Sequence, residues 1–201
     1  DYLSPQLIRE AATAAAKYRI PLFAHPSNLK GVELAVDNGV SVLAHVAADD
    51  RLNWDSGLLQ KMIRNEVALI PTLKLHFWDQ RMAGISTENN MLIKTAIRQL
   101  SDFNKSGGLV LFGTDVGYMS DYDIEEELVQ MENAGMSFDQ ILASLTSNPA
   151  KKFNRAGETG TVERGKNADL VILNGNPASD IRNFTKVVMT IHNGKVVFEK
   201  H

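Results

Sequence analysis

The sequence predicts an α/β protein that combines a parallel β-sheet with a small β unit near its C-terminus. Short apolar runs alternate with segments of helical periodicity over residues 1–156, a pattern that indicates right-handed βαβ crossovers. From about Gly157 onward short β-type segments follow one another, and Asn193-Gly194 between two apolar runs indicates a hairpin. We therefore expect two regions, residues 1–156 and residues 157–201.

The composition is that of an ordinary globular protein and excludes several kinds of site. The 201 residues carry a net charge of −3 with acids and bases mixed, which argues against a nucleic-acid or anionic membrane surface. The chain contains no cysteine, so thiolate metal sites and cysteine nucleophiles are excluded. No apolar run approaches the roughly 20 residues of a membrane span. Because the chain begins at Asp1 without a methionine, we interpret it as a piece whose address, cytoplasmic or periplasmic, is missing.

Helices are predicted where a capping residue precedes apolar residues at helical spacing. Ser4-Pro5 has the form of an N-cap followed by proline at the first helical position. The candidate caps of three later helices are Ser27 or Asn28, Asp55, and Ser137. The longest helix is expected to begin at Thr87. The predicted helices cover residues 5–18, 29–37, 56–65, 87–105, from 121 or 123 to 134, and 137–147, with a last short turn from Pro149.

Strands are predicted where short apolar runs are bounded by turn residues. Residues 74–85, after the third run, are aromatic and irregular, which indicates a long loop. The predicted strands cover residues 22–25, 41–45, 67–72 and 110–116, and then residues 159–165, 168–174, 187–192 and 195–198.

Three of these strands end in a residue that can bind a metal ion. His25 and His45 end the first two strands, and Asp115 lies near the end of the fourth. A buried carboxylate is costly unless it is paired or bound to a metal, and catalytic groups of β/α barrels sit at the carboxyl ends of the strands. The three residues therefore form a candidate metal site. Each alone has a structural alternative: a hydrogen-bonded histidine, or an aspartate that caps a turn.

An ordered series of motifs resembles the amidohydrolase superfamily, and most of all its imidazolonepropionase-like and Xaa-Pro dipeptidase-like branch. The resemblance extends over nearly the whole chain. The motifs are LFAH at 22–25, VLAH at 42–45, FGTD at 112–115, LTSNPA at 145–150, GKNADLV at 165–171 and IHNGKV at 191–196.

The resemblance implies a metal-bearing (β/α)8 TIM barrel with an attached β-sandwich, of which this chain is the C-terminal half. The family's His-x-His pair on strand one and its ligand on strand four have no counterpart here, and a full barrel needs about 250 residues. We therefore expect barrel strands five to eight and a small part of the sandwich. By position, the resemblance makes His25 the strand-five ligand and His45 the strand-six ligand. Asp115 becomes the strand-eight ligand and proton shuttle.

The implied function is metal-dependent hydrolysis of a C–N amide bond in a small cyclic amide or a peptide-like substrate. The expected cofactor is a divalent metal, most readily zinc, with one or two ions in the complete site. His76 and Trp78 on the predicted loop, and Tyr118 after Asp115, are the expected substrate-binding residues. Aromatic packing on the barrel rim is the structural alternative for these residues.

Other polar residues are assigned structural roles. The acidic run at residues 125–127 is expected to form a solvated helix start, where acids suit the helix dipole. Asp169 is expected to be structural, and His192 to be a surface strand residue.

Two other functions remain open. A half barrel has two open sheet edges, and exposed edges invite pairing, so the chain could be a silent scaffold that forms a homo-oligomer or pairs with another half barrel. A flavodoxin-like binding domain is disfavoured because the chain lacks a phosphate-cradling loop after any strand.

Overall fold

A computed structural model describes residues 2–200 of the chain. Its first part alternates strands and helices, as the sequence predicts. The elements of this part are α1 (Pro5–Tyr18), β1 (Phe23–Ala24), α2 (Leu29–Asp37), β2 (Val42–Ala44), α3 (Ser56–Arg64), β3 (Ala68–Ile70), α4 (Leu73–Met82), α5 (Met91–Lys105), β4 (Leu109–Val110), α6 (Glu125–Asn133), α7 (Phe138–Leu145) and α8 (Ser147–Lys152).

The four strands of this part form one parallel sheet in the order β1-β2-β3-β4. In β2, Val42 pairs with Phe23 on one side and with Ala68 on the other, and Leu69 pairs with Val110. Since all four strands run in the same direction, their carboxyl ends meet at one edge. This sheet, followed by a separate antiparallel one, confirms the predicted α/β class.

Alternate residues of the strands face two different apolar clusters, as the period of two requires. Leu43, Leu69 and Val110 belong to the main core together with residues of the helices. Val42 and Ala68 belong to a second, smaller cluster. Both faces of the sheet are therefore buried, as is usual for parallel sheets.

None of the helices within residues 2–200 combines the length and the hydropathy that crossing a bilayer requires.

The C-terminal part is a three-stranded antiparallel sheet in the order β5-β6-β7, built from Leu170–Leu173, Val187–His192 and Lys195–Glu199. The turn at Asn193 and Gly194 has positive φ at both positions, 49° and 75°, which is the geometry of a type I′ hairpin. Asp169 accepts a hydrogen bond from the Asn193 N–H at 2.8 Å and lies 2.9 Å from Nδ1 of His192. These contacts support the structural role expected for Asp169, and His192 is exposed.

The predicted N-caps are present. The side chains of Ser4, Asn28, Asp55 and Ser137 each accept a hydrogen bond from a backbone N–H in the first turn of the helix that follows. Helix α5 begins later than predicted, at Met91, because Asn90 and not a residue near Thr87 caps it.

The predicted loop over residues 74–85 is wrong, since most of it is helix α4. The buried residues of α4 are four in succession at its start, Leu73 to His76, rather than residues spaced three or four apart. A lysine and a histidine are among them, so the segment lacks the apolar periodicity that indicates a helix.

Two strand predictions are also corrected. Residues 159–165 form turns and bends, with left-handed glycines at Gly160 and Gly165. The strand predicted over residues 110–116 is shorter, because β4 covers only Leu109–Val110 before the chain turns toward Asp115.

Gly160 allows the start of the C-terminal part to pass close to α8. Its φ is +90°, and a Cβ there would lie 2.5 Å from Cβ of Ala150 and 3.0 Å from the carbonyl oxygen of Thr146. A residue with a side chain at position 160 would therefore have an unfavourable backbone conformation and would overlap with these two atoms. Gly165 has a similar φ of +94°, but among residues 2–200 no heavy atom lies within 4 Å of the corresponding Cβ position.

This difference predicts unequal costs for two matched substitutions. Gly160→Ala and Gly165→Ala both incur the cost of a left-handed alanine, roughly 1–2 kcal/mol. Gly160→Ala is expected to lose a further ~1–3 kcal/mol of unfolding free energy because of the overlap. Urea denaturation of both variants measures this, and equal losses would contradict the proposed overlap.

Candidate functional site

The candidate site lies at the carboxyl ends of the parallel strands. His25 directly follows β1, and His45 directly follows β2. Their ring centroids are 4.6 Å apart with an interplanar angle of 76°. The parallel pairing of Ala24 with Leu43 places both strand ends at the same edge of the sheet. The structure thus brings the two histidines together.

Asp115 approaches the two histidines from β4, which is the outer strand opposite β1. After β4 the chain continues for four residues and turns at Asp115, where φ is 61°. Oδ2 of Asp115 lies 3.9 Å from Nε2 of His45. All three residues line one cavity of about 300 Å3, together with His76, Tyr118 and others.

The backbone and side chain of His45 are held by the neighbouring strand. Its N–H donates to the carbonyl of Ile70 at 2.8 Å, and its Nδ1 lies 2.6 Å from Oγ1 of Thr72. Burial lowers the pKa of His45, nearby His25 lowers it further, and Asp115 acts in the opposite direction. Burial therefore favours the neutral ring of His45, which has a nitrogen lone pair available for a ligand.

His76 extends the site from the first turns of α4. It is buried, and Nε2 is without a hydrogen-bond partner in the part of the chain that the structure describes. Burial lowers the pKa of His76 to about 4, nearby His45 also lowers it, and a hydrogen bond with the Val46 backbone acts in the opposite direction. His76 thus presents a neutral imidazole beside the two histidines of the strands.

Two carboxylates of the cavity were missed by the sequence analysis. Asp49 lies on the loop after His45, and Asp79 lies on α4. Burial raises the pKa of Asp49, nearby Asp50 raises it further, and His25 opposes the change. The position of Asp79 could have been found only by recognising α4 as a helix, because Asp79 and His76 are then one turn apart.

The expected substrate-binding residues divide between the cavity and its surroundings. His76 and Tyr118 line the cavity, and the Tyr118 hydroxyl contacts Oδ1 of Asp79 at 3.4 Å. Trp78 is half-buried on α4 and lies outside the cavity lining.

Comparison with known proteins identifies the family. A sequence model of the amidohydrolase family matches residues 3–197. The chain belongs to the amidohydrolase family. The family prediction is therefore confirmed, and members of this superfamily generally use divalent metals.

Two curated amidohydrolase relatives give the extent of the likeness. Ochratoxinase from Aspergillus niger is 24% identical over 198 residues, which cover 94% of this chain and 40% of that protein. Imidazolonepropionase from Thermoplasma acidophilum is 31% identical over 96 residues, which cover 45% of this chain and 23% of that protein.

Solved structures show the same fold. A Xaa-Pro dipeptidase with bound methionine in its active site matches with a TM-score of 0.85 at 23% identity, covering 98% of this chain and 49% of that one. A putative prolidase from Bifidobacterium longum matches with a TM-score of 0.82 at 27% identity, covering 98% and 52%. The chain spans about half the length of these amidohydrolases or less.

The histidines and carboxylates of the cavity have the chemistry of metal ligands but not the arrangement of a formed metal site. Among residues 2–200, no group of three or more His, Asp or Glu side chains is arranged closely enough to hold a metal ion. The donors nevertheless have the right chemistry, since neutral imidazoles and carboxylates suit zinc and similar ions. With zinc–ligand distances of about 2.0–2.2 Å, two ligands of one ion can be at most about 4.3 Å apart. The separation of 3.9 Å between His45 and Asp115 lies within that limit.

The buried side chain of Glu127 contacts the helix that carries His76 and Asp79. The prediction of a solvated acidic run over residues 125–127 is wrong for Glu127, which is fully buried. Its Oε2 accepts a hydrogen bond of 2.7 Å from the Lys74 N–H in the first turn of α4. The ammonium group of Lys74 contacts Oδ2 of Asp121 at 3.0 Å and the carbonyls of Asp121 and Asp123. Glu127 and Lys74 therefore connect α4, α6 and the loop that follows Asp115.

The burial of Glu127 predicts a pH-dependent stability. Burial raises the pKa of Glu127 to about 8 against the hydrogen bonds of the Lys74 and Leu73 backbone, whereas an exposed glutamate titrates near ~4.3. Its contribution to stability is fully present below the unfolded-state pKa and is lost as the pH rises through about 8. The wild-type chain should therefore lose stability relative to Glu127→Gln by up to about 1.4 kcal/mol per pH unit in that interval.

Urea denaturation at roughly pH 5, 6, 7 and 8 measures the free energy of unfolding of both chains. These values span the interval between the unfolded-state and folded-state pKa of Glu127. Glu132→Gln is the matched control, because Glu132 is on the same helix and exposed, and it should follow the wild-type profile. Parallel profiles for the wild type and Glu127→Gln would show that Glu127 does not titrate in this way.

Proposed function

We propose that this chain carries the C-terminal half of a metal-dependent amidohydrolase active site that hydrolyses a C–N amide bond. The observation that carries the proposal is the convergence of His25, His45 and Asp115 in one cavity at the carboxyl ends of the parallel strands. In this proposal β1 to β4 correspond to barrel strands five to eight, and residues 157–201 to part of the β-sandwich. The greater length of the relatives supports an incomplete ligand set in this chain.

His25 and His45 would bind the metal through ring nitrogens, and Asp115 would bind it through its carboxylate. A divalent ion, most readily zinc, would polarise the amide carbonyl and increase the acidity of an attacking water when bound. Asp115 lines the cavity opposite Nε2 of His45. Because its side chain is 36% exposed, a substrate can reach it. Asp115 would accept a proton from the water and return it to the leaving nitrogen, as general acid–base catalysis requires.

The substrate in this proposal is a small cyclic amide or a peptide-like amide. The cavity of about 300 Å3 accommodates a small molecule, and the names of two relatives, Xaa-Pro dipeptidase and imidazolonepropionase, agree with this substrate class. His76 and Tyr118 would contact the substrate inside the cavity. Trp78 could contact only a substrate that extends beyond the cavity lining.

Zinc binding tests the proposed site directly. The wild-type chain is expected to bind Zn2+ in isothermal titration calorimetry, and His45→Ala should weaken binding by more than about tenfold, since it removes a ligand. His192→Ala is the matched control because His192 is exposed on β6 and paired with Asp169. Equal affinities for the wild type and His45→Ala would contradict a zinc site at His45.

A second candidate function is assembly of this chain through its open sheet edges. β1 and β4 are the outer strands of the sheet, and Phe23 in β1 is 43% exposed. A second cavity of about 630 Å3 lies beside β4 and is lined in part by Leu109 and Val110. We propose that two copies pair through β1 and β4, so that the parallel strands of both copies would form one closed sheet.

Sedimentation velocity tests this assembly. The wild-type chain should sediment as a dimer at micromolar concentration, and Phe23→Lys should shift the population toward monomer because it places a charge on the β1 edge. Val162→Lys is the control, since Val162 is 85% exposed and belongs to neither sheet. A wild-type chain that remains a monomer would exclude pairing of two copies.

A further inference from the structure

Thr72 has an unfavourable backbone conformation between β3 and α4. Its φ and ψ are 46° and 47°, in the left-handed region, which a β-branched residue very rarely occupies. Thr72 is buried and stands at the N-cap position of α4, yet its side chain makes no capping hydrogen bond to that helix. The hydroxyl of Thr72 therefore forms hydrogen bonds with groups outside α4.

The hydroxyl of Thr72 connects two groups of the site. Oγ1 donates to the carbonyl of Pro71 at 2.8 Å and lies 2.6 Å from Nδ1 of His45. A hydroxyl has one proton and can also accept. One hydroxyl proton cannot serve both partners, and in the arrangement that donates it to Pro71, Oγ1 of Thr72 accepts a hydrogen bond from Nδ1–H of His45.

This direction determines the tautomer of His45. A neutral imidazole carries its proton on one nitrogen only, so a proton on Nδ1 leaves the lone pair on Nε2. Nε2 is the nitrogen that faces Asp115, at 3.9 Å from its Oδ2. The atom left free to bind a ligand is therefore the one directed at the cavity.

The surrounding structure holds Thr72 in its unfavourable conformation. The pairing of β2 with β3 continues beyond the strands, because the Val46 N–H donates to the Pro71 carbonyl at 3.2 Å. On the other side of Thr72, Glu127 accepts from the Lys74 N–H at 2.7 Å. Strain of this kind persists only where neighbouring contacts fix the backbone.

We infer that Thr72 is a positioning residue that selects the Nδ1–H tautomer of His45 and so presents Nε2 to a divalent cation. The part of this inference that concerns the cation rests on the proposed function, whereas the part that concerns the tautomer does not. Two readouts can therefore be separated.

The first readout is the tautomer in the metal-free chain, measured by long-range 1H–15N NMR of the imidazole rings at about pH 7.5, where a histidine of lowered pKa is neutral. His45 is assigned by comparison with His45→Gln. In the wild type, Nε2 should have the chemical shift of an unprotonated nitrogen. A wild-type His45 that is protonated at Nε2 would overturn the inference without any need for a variant.

Substitutions then identify the hydroxyl as the cause. Thr72→Val keeps the branched shape and removes the hydroxyl, and it should shift His45 toward a mixture of tautomers or toward Nε2–H. Thr72→Ser keeps the hydroxyl and should retain the wild-type tautomer. Thr72→Ala serves as a second hydroxyl-free variant if Thr72→Val does not fold by circular dichroism. An unchanged tautomer in the folded hydroxyl-free variant would overturn the inference.

The second readout is Zn2+ affinity by calorimetry. Removing a residue that orients a metal-binding histidine typically lowers metal affinity by about 10–100-fold. We expect that loss for Thr72→Val and less than about a threefold change for Thr72→Ser. If the wild type has the expected tautomer but does not bind zinc, the proposed metal function fails while the control of the tautomer by Thr72 stands. If Thr72→Val binds zinc as the wild type does, Thr72 does not position a metal ligand.

Discussion

The pairing of β2 with β3 is the constraint on which the candidate site depends. The register sets Ala44 opposite Ile70, and the backbone bonds continue past the strands through His45 and Val46. This continuation places Thr72 beside the ring of His45 and begins α4 immediately afterwards. A register shift of one residue would reverse which face each side chain occupies. His45 would then leave the cavity, and Thr72 would lose its partner.

A second layer of polar contacts fixes the elements around that pairing. Glu127 binds the start of α4, and Lys74 binds the loop that follows Asp115. Arg81 and Glu126 add a two-bond contact of 2.7 and 2.6 Å between α4 and α6. Buried polar groups are costly unless they are hydrogen-bonded, and a buried ammonium group is costly unless it is also paired, so Glu127 and Lys74 hold these elements in one arrangement. The loop that carries Asp115 and Tyr118 is thus tied to the helix that carries His76 and Asp79.

The sequence was sufficient for the elements whose signals are local. Helix caps such as Asn28 and Ser137, the hairpin at Asn193, and the runs ending in His25 and His45 depend on residues close together in the chain. The remaining features depend on distant partners. Lys74 and Glu127 are 53 residues apart, and their burial follows from packing between helices that an acidic run does not reveal. Glu127 did have one local signal, because it is four residues before the buried Met131 and therefore shares its helix face.

Backbone strain distinguishes the site without reference to any relative. Three non-glycine residues in the left-handed region lie at the cavity or contact its lining: His45 with φ of 81°, Thr72 with 46° and Asp115 with 61°. Other residues of this kind have ordinary local roles, such as Arg19 at the end of α1 and Asn193 in the hairpin. The three near the cavity stand just beyond strand ends, where an asparagine or glycine would be less strained. Their side chains make contacts there that those residues would not reproduce. A fold alone does not specify a function, but strain on two residues that line one cavity, His45 and Asp115, and on Thr72, which contacts His45, supports the proposal that the function resides there.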